Sequence, residues 1–371
     1  MNAYTGLLKT KCPYTFREMG PQATVSPYVS EPEEYPLPEG WEGSGTLTFA
    51  MAGARASGKS LYIAVVVKLL QQLVIANGGT FAAADEHTRR TYQEKYEQPL
   101  FDQMGLLGST PSAASKDAHQ RRPLIFDLGK YQRDGGFQKL FVVFRDVAGE
   151  DLTETNFPSR KDDLEFFRYA DRVIFLFDPM AVGRIQQLLA GAVPRHEVGD
   201  DDPTVVLQNV LRVLGSDHRP GIALTLSKFD TMQRLSQVSQ AGNYYSRSVN
   251  WQRVMNNFGA GFCRENSKIN EAFDDVNNRL LHFEVLSLLQ ALGAVQMINQ
   301  LGQPMYGDYP YSYQCFAVSA LGAPPDGDQV NRSGIAPFRC LDPLRALFSQ
   351  YDLLNGVRNG ATDAYWGTDI A

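Results

Sequence analysis

The sequence predicts a three-layer α/β/α fold with a mostly parallel sheet and one antiparallel strand. Short apolar segments rich in Val, Ile and Phe alternate with longer amphipathic segments, which is the pattern of strand and helix units. A glycine-rich loop joins the first of these strands to the first helix. The chain has 371 residues, 43% hydrophobic and 20% charged, which suffices for one large domain or two smaller ones with a full core.

Charge and composition argue against several other classes of protein. The net charge of -6 and pI near 5.5 disfavour a broad nucleic-acid surface. The apolar stretch from Leu61 to Ala76 contains Lys68 and two glutamines and is shorter than a membrane span, so it predicts a core-facing helix. The four cysteines are far apart and form no C-x-x-C pair, so a reducing cytoplasm is the simplest location.

Composition divides the chain into an arm, a domain and a tail. Residues 1–44 are rich in Pro, Glu, Tyr and Gly without a hydrophobic period, so we expect an extended or partly disordered arm. Residues 45–355 form the main domain, interrupted by an irregular insertion at 231–276 that mixes aromatic and arginine residues. A partner-binding or lid role is expected for this insertion. Residues 356–371 are a polar tail.

The elements of the main domain follow from periodicity and turn residues. A Gly-Gly turn at Gly135 and Gly136 joins strands 122–132 and 138–147 as a hairpin, which places an antiparallel strand at or near one edge. The other expected elements are strand 46–53, helix 61–78, helix 160–170, strand 172–178, helix 204–214, strand 221–227, helix 277–301, strand 314–320 and helix 342–351.

The loop from Gly53 to Ser60 reads GARASGKS and matches the phosphate-cradling pattern G-x-x-x-x-G-K-[ST]. It lies between a strand and a helix, so backbone N–H groups and the helix N-terminus face the phosphates. Lys59 supplies a mobile cation, and Ser60 is the expected Mg²⁺ ligand. The complete predicted contact set is Gly53, Ala54, Arg55, Ala56, Ser57, Gly58, Lys59, Ser60 and Leu61.

The strand that closes the hairpin ends in DVAGE, a D-x-x-G pattern. Asp146 is placed to hold Mg²⁺ through a water, and the backbone N–H of Gly149 to approach a γ-phosphate. Glu150 stands where many GTPases carry a glutamine that orients water. A carboxylate there can orient water or act as a base, but it also repels the γ-phosphate, so we expect slow intrinsic hydrolysis.

Two later motifs predict which base is bound. After strand 221–227 comes SKFD, in which Lys228 can lie along a purine while Asp230 accepts hydrogen bonds from N1–H and the exocyclic amine of guanine. Adenine offers no such donor pair, and an unpaired buried carboxylate is costly. Ser227 stands where Asn or Thr is usual. The last strand ends in Ser319, Ala320 and Leu321, and the N–H of Ala320 is expected to contact the guanine carbonyl.

Together, GARASGKS, DVAGE, SKFD and SAL resemble the motif set of the translation-factor and small-GTPase class of P-loop GTPases, over about residues 46–351. The phrases RVIFLFDPM and PFRCLDPLRALF, with Glu150, are similar to the bacterial double-GTPase type 2 family. The resemblance implies GTP or GDP with Mg²⁺, a cytoplasmic location and a multi-gene GTPase-associated system. With one P-loop and an unpartnered Cys12 in CPYT, the chain lacks the motifs for a tandem second site or a zinc element.

The switch threonine that binds Mg²⁺ directly must lie between the first helix and the hairpin. Thr110, in a Gly/Ser/Pro loop ahead of the hairpin strand, is preferred to Thr80, Thr88 and Thr91. Three arginines are candidate cations for the γ-phosphate, with a plain surface role as the alternative for each. They are Arg55, Arg121 and Arg122.

The motifs together favour a Mg²⁺-dependent GTPase switch, whose loops near Thr110 and Gly149 order around the γ-phosphate and change the surface seen by a protein partner. A GTP-binding scaffold that does not hydrolyse its nucleotide is the first alternative, because Glu150 replaces the usual glutamine. A P-loop ATPase is the second. It is disfavoured because no hydrophobic run ends in Asp-Glu and because SKFD has no role in it.

Overall fold

The computed structural model describes most of the main domain and most of the arm. The described residues are 3–107, 122–191, 201–238, 249–257, 260–263, 269–303, 305–327, 329–332 and 334–355. Thr110, Arg121, the tail 356–371 and parts of the insertion 231–276 lie outside them.

A single mixed sheet organises the described residues. Its strands are β1 Gly45–Ala52, β2 Ala82–Ala83, β3 Leu124–Arg133, β4 Gly136–Arg145, β5 Arg172–Phe177, β6 Gly221–Leu226 and β7 Tyr313–Ala317. The spatial order is β2-β3-β4-β1-β5-β6-β7. β4, β1, β5, β6 and β7 are mutually parallel, and β3 is antiparallel to both β2 and β4. The predicted hairpin is confirmed, with Arg133 opposite Gly136.

Helices surround this sheet, and every residue of β1 and β5 is buried, as in a sheet covered on both faces. The described helices are α1 Lys59–Ala76, α2 Glu86–Tyr92, α3 Phe157–Arg160, α4 Gly183–Leu189, α5 Pro203–Leu214, α6 Phe229–Met232, α7 Trp251–Met255, α8 Asp275–Ala291, α9 Gln296–Gly302 and α10 Asp342–Phe348. The predicted α/β fold with a mostly parallel sheet is therefore confirmed.

The helix α1 is long and apolar enough to cross a membrane by length and composition alone, with a mean hydropathy of 1.5. More than half of it, 56%, is buried inside the protein. Its buried face includes Val66, Leu70 and Val74, which belong to the main hydrophobic core. An apolar helix buried in this way is typical of a central helix in an α/β domain.

Two predicted helices differ from the observed ones. Residues 277–301 form two helices, α8 and α9, because Gly293 adopts a φ of 74°, a left-handed conformation that ends a helix. Residues 160–170 are not an α-helix, since the short α3 is followed by a 3₁₀ helix over Asp162–Tyr169. A 3₁₀ helix rises about 2.0 Å per residue, so it takes the chain further per residue towards the start of β5.

The described part of the arm packs on the domain. Trp41 is 2% exposed, and its ring centroid lies 4.6 Å from that of Phe141 on β4. Its indole N–H donates to the backbone oxygen of Lys11 at 3.0 Å. Lys11 in turn forms a partly buried ion pair of 2.6 Å with Asp171, directly before β5. The arm is thus tied to the sheet by an aromatic contact and a charge contact.

Truncation of Trp41 tests this attachment. We expect Trp41→Ala to lower the free energy of unfolding by about 3 to 5 kcal/mol, because it removes a large buried ring and leaves a cavity. Urea unfolding followed by circular dichroism measures the change. Phe137→Ala is the matched control, because Phe137 is 76% exposed on the hairpin and its loss should cost less than about 0.5 kcal/mol. Equal losses in the two variants would contradict the attachment.

Candidate nucleotide-binding site

The predicted motifs meet at one edge of the sheet because five neighbouring strands run in the same direction. The P-loop follows β1, DVAGE follows β4, SKFD follows β6 and SAL follows β7. The register places Ala52 of β1 beside Phe175 of β5, and Leu226 of β6 beside Ala317 of β7. Ligands of such sheets bind outside the carboxyl ends of the strands, so this edge is the candidate site.

The backbone of the P-loop takes conformations that require small residues. Gly53 has a φ of 145°, and a Cβ there would lie 2.1 Å from the backbone oxygen of Leu176 on β5. Gly58 caps the N-terminus of α1 with a φ of 86°, and Ala56 has a φ of 55°. A loop in which residues of positive φ are separated by residues of negative φ points several N–H groups into one concavity, which suits an anion.

The ammonium of Lys59 is folded over its own loop. Its Nζ donates to the backbone oxygens of Gly53 at 2.8 Å and Ala54 at 3.1 Å, and the residue is 5% exposed. Burial lowers the pKa of Lys59, whereas the nearby charges of Asp146 and Asp201 raise it. The cation is therefore held at the mouth of the loop by weak carbonyl acceptors that phosphate oxygens can replace.

Asp146 is a buried carboxylate. It is 8% exposed, and neither carboxylate oxygen has a hydrogen-bond partner among the described residues. Burial raises its pKa to about 6, and the charge of Lys59 opposes that rise. Unpartnered carboxylate oxygens beside a phosphate loop fit a hard cation such as Mg²⁺.

Ser60 lies in the first turn of α1, one residue beyond Lys59. No group of three or more His, Cys, Asp or Glu residues surrounds a common point in the described part of the chain. Mg²⁺ commonly needs no such cage, because it is held by one or two protein oxygens together with substrate phosphates and water. The oxygen donors of Ser60 and Asp146 thus fit this cation, and Thr110 lies outside the described residues.

The D-x-x-G segment lies directly against the P-loop. A Cβ on Gly149 would be 2.5 Å from the backbone nitrogen of Arg55 and 2.7 Å from the carbonyl carbon of Ala54. Only glycine fits this approach. Glu150, the next residue, places its carboxylate 3.2 Å from the guanidinium of Arg55. This contact between the two motifs could not be inferred from their sequences.

Asp201 is a site residue that the sequence analysis missed. It lies two residues before α5, and its Oδ2 is 3.7 Å from Nε of Arg55. The sequence DDPT marks a helix start, and the side chain of Asp202 does cap α5 by accepting from the N–H of Thr204. Nothing in that local pattern signals that Asp201 reaches the P-loop.

On the base side of the site, Lys228 is fixed by a second missed residue. Its Nζ lies 2.6 Å from Oδ2 of Asp178, at the end of β5. Oδ1 of Asp178 accepts from the backbone N–H of Met180. Ser227, the first residue of SKFD, donates its hydroxyl to the backbone oxygen of Phe177 at 2.9 Å. The signal for Asp178 was the apolar strand RVIFLFD, which ends in a carboxylate at the site edge.

Asp230 and Ser319 lie together, as their positions after neighbouring strands predict. The Ser319 hydroxyl donates to Oδ1 of Asp230 at 2.5 Å and accepts from the backbone N–H of Gly322. Burial raises the pKa of Asp230, while the hydrogen bond from Ser319 lowers it. Ala320 and Leu321 follow directly in the chain. The predicted base-reading groups thus form one cluster.

A cavity of about 490 Å³ opens beside Asp230. Part of its lining comes from the predicted insertion, through Arg234, Asn256 and Phe262. Phe338 lies on another side, with its ring stacked parallel to that of Phe229 at 6.2 Å between centroids. The described part of the insertion therefore borders the base-side cavity.

The remaining predicted residues lie in different surroundings. Among the alternative switch threonines, Thr88 is fully buried and accepts from the backbone N–H of Ile125, which is a structural contact. Arg122 places its guanidinium 5.2 Å from the ring centroid of Tyr35 in the arm. Arg55 lies in the P-loop itself, and Arg121 is outside the described residues.

A glycine loop between a buried strand and a helix, with a lysine folded over it, defines a P-loop protein. More narrowly, the chain belongs to the Double-GTPase 2 family, whose sequence profile matches residues 49–292. The resemblance drawn from the motifs is thereby confirmed.

One relative comes from Mycolicibacterium smegmatis and is named "Putative ESX-1 scaffolding and assembly protein SaeC". It is 38% identical over 320 residues, which is 86% of this chain and 79% of the relative. Among solved structures, the bacterial selenocysteine-specific elongation factor EF-Sec matches with 12% identity and a TM-score of 0.27. That match covers 84% of this chain and 29% of the elongation factor chain.

The raised pKa of Asp146 has a consequence for stability. Between its ordinary value of 3.8 and about 6, the folded protein binds a proton that the unfolded chain has lost, so this group lowers the free energy of unfolding as pH rises through that window. Asp146→Asn removes the free-energy cost of burying this carboxylate in its charged form. We expect it to stabilise the nucleotide-free protein at pH 8 by about 2 to 3 kcal/mol, a gain that shrinks progressively between pH 6 and pH 4.

Urea unfolding at pH 8 and pH 4, without nucleotide or divalent cation, measures this difference. Asp308→Asn is the control, because Asp308 is exposed and makes the same change of charge. A stability gain for Asp146→Asn that is equal at both pH values, or that Asp308→Asn matches, would contradict the account.

Proposed function

We propose that the chain binds GTP and GDP with Mg²⁺ and hydrolyses GTP slowly, as a conformational switch in a bacterial multi-protein assembly. Membership of the Double-GTPase 2 family supports a guanine-nucleotide ligand. The single observation that carries the proposal is the cluster of Asp230, Ser319 and Lys228 on the same sheet edge as the P-loop. A P-loop ATPase would have no use for a partly buried carboxylate at that position.

Each motif has a role in this proposal. The N–H groups of Gly53 to Leu61 and the ammonium of Lys59 bind the phosphates. Ser60 and Asp146 hold Mg²⁺, which when bound offsets phosphate charge. The N–H of Gly149 contacts the γ-phosphate, and loss of that contact after hydrolysis releases the segment that follows it. Thr110 stays our preferred switch threonine.

On the base side, the carboxylate of Asp230 accepts from N1–H and the exocyclic amine of guanine. The stem of Lys228 lies along the purine, kept in place by Asp178. Ala320, which lies between Ser319 and Leu321 in the chain, donates its N–H to the guanine carbonyl. A guanine is recognised here by hydrogen bonds that adenine cannot make.

A scaffold that binds GTP without hydrolysing it is the second candidate. Glu150 favours it, because its carboxylate lies beside the P-loop where a γ-phosphate would be repelled. The name of the relative from Mycolicibacterium smegmatis, which refers to scaffolding and assembly, also favours it. In both cases we propose protein partners and a cytoplasmic location. The buried cysteines Cys12 and Cys315 form no disulfide within the described part of the chain, in keeping with a reducing compartment.

A single-turnover assay with GTP and Mg²⁺ separates the two candidates. We expect hydrolysis within minutes to hours, abolished by Lys59→Ala, and about tenfold faster in Glu150→Gln because one negative charge beside the γ-phosphate is removed. The matched control is Glu154→Gln, an exposed glutamate in the same segment, which should leave the rate unchanged. Tight GTP binding without turnover would contradict the switch hypothesis and favour the scaffold hypothesis. A Glu150→Gln rate no faster than wild type would contradict the repulsion argument.

A further inference from the structure

Asp201 brings a negative charge to the P-loop from outside the motifs already discussed. Its Oδ2 is buried, makes no hydrogen bond among the described residues, and lies 3.7 Å from Nε of Arg55. The charge of Asp201 also acts on the ammonium of Lys59. One carboxylate therefore acts on both Lys59 and Arg55, the two candidate phosphate-binding cations of the P-loop.

Arg55 links Asp201 to the proposed position of the γ-phosphate. The backbone of Arg55 is in contact with Gly149, whose N–H is the group proposed to meet the γ-phosphate. The guanidinium of Arg55 is shared by Glu150 at 3.2 Å and Asp201 at 3.7 Å. Asp201 thus acts on the end of the site that a triphosphate fills and a diphosphate leaves empty.

The electrostatics of this end of the site are unfavourable for a third phosphate. Asp201 and Glu150 are both carboxylates, with side chains 21% and 31% exposed, so solvent screens them only in part. Arg55 is more exposed, at 54%. A γ-phosphate must share that single guanidinium with two carboxylates and is repelled by both.

We propose that Asp201 is a specificity-determining residue, which makes the site favour the diphosphate over the triphosphate. The proposal rests on the proposed binding of guanine nucleotides. Asp201 holds Arg55 while the γ-phosphate position is empty, and a triphosphate must draw Arg55 away from it. A partner that drew Asp201 away from Arg55 would relieve this competition and favour the triphosphate state.

The experiment measures calorimetric affinities for GDP and for a slowly hydrolysed GTP analogue, with Mg²⁺. In Asp201→Asn we expect about three- to tenfold tighter binding of the GTP analogue and less than a twofold change for GDP, because a partly exposed charge contributes on the order of 1 kcal/mol. Arg55→Gln should weaken the GTP analogue selectively. The two variants alter the same contact with opposite expected effects.

Asp202→Asn is the matched control. It makes the same charge change one residue away, on an exposed side chain whose capping role asparagine can fill equally well. The Asp201 proposal is overturned if Asp201→Asn and Asp202→Asn give the same ratio of the two affinities. A wild-type protein that binds neither guanine nucleotide would overturn the proposed function instead. Thermal unfolding of every variant verifies that it is folded.

Discussion

The parallel pairing of β1 with β4 on one side and β5 on the other is the constraint on which the rest of the structure depends. It brings the P-loop, DVAGE and the end of β5 to one edge, and the parallel β6 and β7 add the base-side groups. β1 and β5 are buried along their whole length, so no side chain of these two strands faces solvent. A register shift by one residue would turn each of these strands over and disperse the site.

The site concentrates charged groups whose burial is only partly compensated by contacts within the protein. Among the described residues, Lys59 donates only to carbonyl oxygens, the oxygens of Asp146 are unpartnered, and Asp230 is held by a serine hydroxyl. Burial shifts the pKa of all three towards the neutral form. The free-energy cost of burying these charged groups lowers the stability of the protein, which is typical of sites that bind a charged ligand. Phosphates with a divalent cation would compensate Lys59 and Asp146, and guanine would compensate Asp230.

The sequence predicted those features that depend on residues close to one another in the chain. Glycines at positions of positive φ, a lysine one residue into a helix and a carboxylate after a strand are all visible in a linear pattern, so the P-loop and the meeting of Asp230 with Ser319 could be anticipated. The carboxylate that ends the strand RVIFLFD was a signal for Asp178, but its pairing with Lys228 joins residues that are distant in the chain. Asp201 had no such signal, because its partner Arg55 is also distant and its local pattern, DDPT, indicates only a helix start. The break at Gly293 was missed since the apolar period continues through it into α9.

The most direct test of the account is whether Asp230 reads the base. Xanthine carries a carbonyl where guanine has its exocyclic amine, so an amide at this position suits xanthine and a carboxylate suits guanine. Calorimetric binding of GDP, ADP and xanthosine diphosphate should show that the wild type selects GDP and that Asp230→Asn selects xanthosine diphosphate. Equal binding of ADP by the wild type, or GDP binding that is unaffected in Asp230→Asn, would contradict the claim that this sheet edge is a guanine-nucleotide site.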